Sequence, residues 1–245
     1  MNVAILMSGR TNNYKVIKED IFNTIINPLK ENGHKIDIFT SVWENEISRE
    51  FIEDYKEYIK IADTETFHEY TPALIENYNE YIDLNSKYSS HVNVKTTMFF
   101  LYKINRLFKL VNEYEKINKI KYDYFIRLRP DTSLSKPISM ELIENLDDSS
   151  IIVHVDKIMK INGTIVGCGD GWVDDNFCIA KKIPFEIYCN LYRDIIQLTN
   201  ECKTGITHIL LKRQFEIHGI QPKIPNSHLY IYHLNAKWNH FYYLY

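Results

Sequence analysis

Short apolar runs alternate along the chain with stretches in which apolar residues recur every three or four positions. Val3-Ala4-Ile5-Leu6-Met7 is a continuous run, suited to a strand covered on both faces. A helical pattern follows through Ile17, Ile21, Ile25 and Leu29, and Asn32-Gly33 closes it. Lys35-Ile36-Asp37-Ile38-Phe39-Thr40 reads as a second strand, with Ser41-Val42-Trp43 at its carboxyl end. Residues 46–60 read as a helix and 61–67 hold a short strand. Thr71-Pro72 opens a helical segment through Leu74, Ile75, Tyr78 and Ile82, and the polar stretch 85–90 reads as a loop. The longest helical pattern covers 94–118, where Met98, Leu101, Ile104, Phe108, Val111 and Tyr114 recur at helical spacing. It leads directly into a strand ending at Leu128, as a crossover connection does.

The remaining elements follow the same logic. Residues 132–137 read as a loop, 140–146 as a short helix and 151–155 as a strand. Residues 163–180 read as a glycine-rich loop returning to strand at Phe177-Cys178-Ile179-Ala180. Residues 185–198 and 207–218 are amphipathic, the second ended by Gly219, and 229–232 form a last strand. Strands alternating with helices predict an α/β fold with a mainly parallel central sheet flanked by helices. No repeat, low-complexity tract or linker interrupts it, so residues 1–245 are read as one domain.

Composition narrows the function classes. A chain of 245 residues, 45% hydrophobic, has enough apolar surface for a sizeable core. A formal net charge of -3 gives no basic field for nucleic acid. No apolar run reaches the roughly 18 residues of a membrane span, and no secretory h-region follows Met1. The four cysteines, Cys168, Cys178, Cys189 and Cys202, show no Cys-x-x-Cys spacing. They read as reduced thiols of a cytoplasmic protein.

Candidate chemistry gathers at the predicted strand ends, where ligands bind in open α/β sheets. Ser8-Gly9-Arg10 follows the first strand and opens a helix, so its backbone N–H groups and the Arg10 charge suit an anion. Tyr122 to Asp131 runs as a strand stopped by Pro130, which has no N–H for the ladder. A period of two places Arg127, Arg129 and Asp131 on one face. Arg127 reads as a buried partner of Asp131 or another acid in preference to a ligand contact, and Arg127 or Arg129 is also available to phosphate. Asp131 is the first candidate ligand for Mg²⁺ or Mn²⁺, with His233 second. Asp174 and Asp175 lie in a glycine-rich acidic segment with Trp172. They read as a turn pair or, for Asp175 first, as a general base; Trp172 suits stacking on a sugar or base.

Four segments occur in order: Val-Ala-Ile-Leu-Met-Ser-Gly-Arg, Ile-Asp-Ile-Phe-Thr-Ser-Val-Trp, Lys-Tyr-Asp-Tyr-Phe-Ile-Arg-Leu-Arg-Pro-Asp and Trp-Val-Asp-Asp-Asn-Phe-Cys-Ile-Ala. Together, over roughly residues 3 to 233, they resemble the GT-A-type glycosyltransferases of bacterial polysaccharide clusters and giant viruses. The resemblance implies a Rossmann-like nucleotide-sugar domain with Mn²⁺ or Mg²⁺ bridging a diphosphate, UDP being the default nucleotide. It implies a nucleoside-diphosphate sugar donor and a glycan or glycolipid acceptor. By position, Ser8, Gly9 and Arg10 would contact the nucleotide and Asp131 would stand at the last acid of an Asp-x-Asp motif. Asp175 would match the acceptor-side acid and His233 the C-terminal metal-binding histidine. The sequence departs from the pattern at Arg129, where Asp-x-Asp has its first acid. Two other classes share these residues: a nucleotide-sugar or glycan-binding module without turnover, and a metal-dependent hydrolase.

Overall fold

The structure, a computed structural model, describes residues 1–66, 75–88, 94–156, 159–161, 164–166, 172–223 and 231–233. In chain order the elements begin with β1 (Asn2–Ser8), α1 (Tyr14–Ile21), a π-helical turn (Phe22–Ile26), α2 (Asn27–Glu31) and β2 (Lys35–Trp43). Next come α3 (Glu46–Asp54), β3 (Ile59–Glu65), α4 (Tyr78–Tyr88), α5 (Val94–Asn118) and β4 (Tyr124–Leu128). Then follow β5 (Thr132–Leu134), α6 (Met140–Glu144), β6 (Ser150–Asp156), β7 (Met159–Ile161), β8 (Thr164–Val166) and β9 (Trp172–Ala180). The chain continues with α7 (Lys182–Cys189), α8 (Leu191–Cys202), α9 (Thr207–His218), β10 (Gln221–Lys223) and β11 (Ile231–His233).

Seven strands form one sheet in the order β10-β6-β9-β4-β1-β2-β3. Six run the same way, and β9 lies antiparallel to both β4 and β6. The α/β class and the mainly parallel sheet are therefore as the sequence predicts. Two small pairs lie apart from the sheet, β5 with β11 and β7 with β8.

Period two divides the strand residues between two cores. Val3, Ile5 and Met7 pack with Ile36, Ile38, Ile126 and Leu128 against Tyr14, Ile17 and Ile21 of α1 and Phe51 of α3. Ala4 and Leu6 join Phe39 and Phe125 against Met98, Leu101, Ile104 and Phe108 of α5 and Phe185 of α7. Both faces are covered, which explains why β1 and β4 read as near-continuous apolar runs. Each buried aliphatic side chain contributes roughly 1.5–3 kcal/mol.

Several predicted boundaries move. The first helix carries a π-helical turn ahead of Pro28. Proline cannot donate to the carbonyl of Thr24, four residues back, and the Ile138 N–H supplies that bond at 2.8 Å. The helix predicted over 46–60 stops at Asp54, with Tyr55 leaving helical geometry. Residues 75–77 form a turn in place of helix, Asn77 having a φ of 62°, and α4 runs on through Asn85 and Lys87 where a loop is predicted. Asn85 is fully buried there. The helix predicted over 185–198 is two helices, α7 and α8, meeting at Asn190. The loop predicted over 132–137 contains β5, because β11 is available to pair with it. Residues 172–176, expected in a loop, belong to β9.

Glycines 163, 167, 169 and 171, Cys168, Asp170, His228, Trp238 and His240 lie outside the described residues. Among the described residues, Cys178, Cys189 and Cys202 are free thiols, and no helix is long and apolar enough to cross a membrane.

Candidate active site

The carboxyl ends of β1, β2 and β4 and the first half of β9 open onto one cleft of about 490 Å³. Gly9 and Arg10 line it from the turn after β1, Trp43 from the end of β2 and Arg129 from the residue after β4. Asp175 and Asn176 line it from β9, and Thr96, Thr97, Phe99, Phe100 and Lys103 from the first turns of α5. This is the edge at which a parallel sheet leaves room for a ligand.

Arg129-Pro130-Asp131-Thr132 forms a turn in which the Thr132 N–H donates to the Arg129 carbonyl at 3.0 Å. Proline at its second position pre-sets that turn. The turn folds Asp131 back onto Arg129. The guanidinium donates through Nη2 to Asp131 Oδ2 at 2.8 Å and through Nε to Oδ1. Its Nη1 donates to Asn176 Oδ1 at 3.0 Å, and the Arg129 N–H donates to the Asn176 carbonyl at 3.1 Å. Arg129 is thereby fixed to both β4 and β9, and the Asp131 side chain is 2% exposed.

Gly9 has a φ of 119°, a conformation unfavourable for residues with a Cβ. A Cβ there would stand 3.0 Å from Cγ and 3.5 Å from Cδ of Arg129. The glycine thus lets the first turn and the Arg129 stem approach each other. Arg10 beside it is exposed.

Arg127 is fully buried and does not line the cleft. It lies on the α5 face, 5.3 Å from the Phe100 ring, and its Nη2 donates to the Ser8 carbonyl at 2.8 Å and its Nη1 to the Leu128 carbonyl. The expected Arg127–Asp131 pairing is therefore replaced, because the Pro130 turn delivers Asp131 to Arg129. Burial pushes the Arg127 guanidinium pKa down. Ser8 is also buried, and its hydroxyl has no hydrogen-bond partner among the described residues.

No sequence motif marks Lys103. It is 1% exposed, its Nζ lies 4.1 Å from the Trp43 ring centre, and it pairs with Glu65 of β3. Burial pulls its pKa below the ordinary lysine value, against the opposing pull of Glu65. The available signal was a lysine three residues after Phe100 and four before Leu107, on a stripe that is otherwise apolar. Trp43, at the carboxyl end of β2, forms part of the cleft wall with Phe99 edge-on at 5.8 Å.

Asp175 is supported from the helices behind it. Thr207 Oγ1 donates to its Oδ2 at 2.8 Å, His208 Nε2 lies 3.6 Å from its Oδ1, and the buried Tyr188 hydroxyl donates to its backbone carbonyl. In the sequence Thr207 and His208 are no more than the start of a helix, since nothing local marks contact with residue 175.

Trp172 and Asp174 lie in β9 with Asp175. His233 pairs with Thr132 across the β5–β11 ladder, which places its backbone one residue from Asp131 in register. Gly9, Arg10, Arg129 and Asp175 thus meet at one cleft, with Asp131 directly against Arg129.

A divalent cation fits the described side chains poorly. Both Asp131 oxygens accept from Arg129, and no three His, Cys, Asp or Glu side chains among the described residues converge as ligands would.

No protein-family model matches the chain, and no curated protein does. Solved structures overlap with it at low identity. A mouse xyloside xylosyltransferase 1 in its apo form is 11% identical, with 90% of this chain and 84% of that one covered and a TM-score of 0.44. A glycosyltransferase involved in glycosylation of the major capsid of PBCV-1 is 10% identical, covering 91% and 80%, with a TM-score of 0.41. The galactosyltransferase LgtC, in complex with donor and acceptor sugar analogues, is 11% identical, covering 88% and 70%, with a TM-score of 0.43.

Proposed function

We propose that the chain is a glycosyltransferase on a Rossmann-like GT-A frame. It moves a sugar from a nucleoside-diphosphate sugar to a hydroxyl of a glycan or lipid-linked acceptor. The observation that carries this reading is one cleft at the carboxyl edge of the parallel strands, lined by Arg10, Lys103 and Arg129 and closed by Asp175 on β9. Cations at a strand edge beside a glycine turn suit a diphosphate. Trp43 and Phe99 offer apolar walls to a base or sugar ring. Holding donor and acceptor together and stabilising the departing diphosphate are the two terms such a site supplies.

Asp175 is the acid placed to take the proton of an attacking hydroxyl in an inverting reaction, with Thr207 and His208 orienting it. The divalent cation implied by the family resemblance would neutralise diphosphate charge when bound. The described residues do not present an open set of ligands for it, so the work assigned here belongs to side chains alone.

Asp175→Asn is expected to abolish transfer while leaving donor affinity within about threefold of the parent, since the amide keeps the shape and loses the base. Transfer is read by product formation across UDP-, GDP- and dTDP-sugars with a glycan acceptor mixture, and affinity by calorimetry. Undiminished transfer by the variant would remove Asp175 from the chemistry. Donor binding with neither transfer nor hydrolysis by the parent would favour a nucleotide-sugar-binding module.

A further inference from the structure

Where a divalent cation would sit on Asp131, a guanidinium already sits. Arg129 meets both carboxylate oxygens of Asp131, in the two-pronged geometry that planar guanidinium and carboxylate groups share. The pair is not loosely placed. Asp131 is 2% and Arg129 20% exposed, Asn176 holds the opposite edge of the guanidinium, and Gly9 leaves the space its stem passes through. Arg129 nonetheless lines the cleft beside Gly9 and Arg10.

We infer that Arg129 takes the place of the metal: its permanent charge, with Arg10, faces the diphosphate, and Asp131 is the positioning residue that holds the guanidinium. This rests on the nucleotide-sugar reading above. Guanidinium does not deprotonate in the working range, so it carries a fixed positive charge without an exchangeable ion. A cation entering at Asp131 would have to displace the guanidinium from both carboxylate oxygens of a mostly buried ion pair, which is unfavourable. A sequence carrying arginine at position 129, where the metal-binding motif has an acid, is consistent with this exchange of charge carriers.

The test is calorimetric titration of the full chain with UDP, GDP and dTDP, in EDTA and in MnCl₂. For the nucleotide that binds, the expected Kd in EDTA lies within about threefold of that in Mn²⁺. Arg129→Lys, which keeps the charge and loses the fork, is expected to weaken binding in EDTA about tenfold or more. Asp131→Asn is expected to weaken it several-fold in both buffers alike, with thermal unfolding of both variants confirming that they fold. Binding seen only with Mn²⁺, or a Mn²⁺-dependent gain that Asp131→Asn removes, overturns the inference and leaves the nucleotide-sugar reading standing. Binding in EDTA that Arg129→Lys leaves unchanged also overturns it. No binding of any of the three nucleotides in either buffer overturns both.

Discussion

Arg127 and Arg129 are two residues apart in sequence and have different fates. Arg127 is within β4, fully buried, with its hydrogen bonds going to main-chain carbonyls of Ser8 and Leu128. It ties the end of β1 to the end of β4. Arg129 is just past the strand, its N–H still bonded to the Asn176 carbonyl of β9, and its side chain meets Asp131 beyond the Pro130 turn and lines the cleft. Both lie where an alternating pattern predicts charge on one face; only the position of the strand's last residue separates scaffold from site. Gly9 shows the same dependence on single atoms. Gly9→Ala forces a side chain into a left-handed conformation and brings its Cβ to 3.0 Å from Arg129 Cγ. It is expected to cost about 1–3 kcal/mol of stability and to shift Arg129. Urea unfolding checks the first effect and nucleotide titration the second; a variant as stable as the parent would mean that the turn relaxes freely.

At the scale of elements, α5 does two jobs. Its apolar stripe caps one core, and its first turns supply Thr96, Thr97, Phe99, Phe100 and Lys103 to the cleft. The helix is fixed against the edge strand β3 by Arg106, which grips Asp63 through Nε and Nη2, both at 2.9 Å, while Ser41 donates to the same carboxylate. Burial pushes the Asp63 carboxyl up, but the Arg106 and Ser41 hydrogen bonds outweigh it and hold the pKa below its ordinary value. The stabilisation is therefore present above about pH 4, the unfolded carboxyl range, and is lost as pH falls through the lower folded value. Asp63→Asn is expected to lose about 1–2 kcal/mol at neutral pH, a range kept low because Arg106 is 40% exposed. The same variant should show a flatter loss of stability below pH 4 than the parent, as denaturant midpoints measured across that range would reveal. The extent of α5 and of α9 is legible in the sequence, because apolar spacing over 12 to 25 residues leaves no other period. The break between α7 and α8 is not, since a lone Asn190 with no glycine or proline beside it is a weak stop signal inside a continuing apolar pattern.

For the molecule as a whole, two cores hold one sheet between them, and local burial couples to global stability. His34, in the turn between α2 and β2, is 9% exposed and its ring nitrogens lack hydrogen-bond partners among the described residues. Burial, with the nearby N-terminal charge, pushes its pKa down. The unfolded chain takes up a proton at about pH 6.5, while the folded chain resists it until a lower pH. Stability is thus expected to fall as pH drops through 6.5 and to stop falling on this account below the folded value. His34→Gln should show a shallower decline between pH 7.5 and 5.5 in urea midpoints; equal slopes would take His34 out of the pH response.

The sequence by itself determined the alternation of buried strands and amphipathic helices, and with it the α/β class. It also marked the polar positions at strand ends, because a run of apolar residues that stops at glycine or proline must leave the sheet there. Gly9, Arg10 and Arg129 stand out on that ground alone, whereas Asp175 stands out only through the glycine-rich acidic segment, read as loop, that the fold makes part of β9. Partners across the chain were decided only by the tertiary structure. Local pattern says that a buried charge needs a counterpart, not which of several it meets. The fold gave Asp131 to Arg129, Arg127 to carbonyls, Asp175 to Thr207 and His208, and Lys103 to Glu65 and Trp43. Those choices depend on distances between segments tens of residues apart, which periodicity cannot encode, and they are what turn a row of polar residues into a cleft.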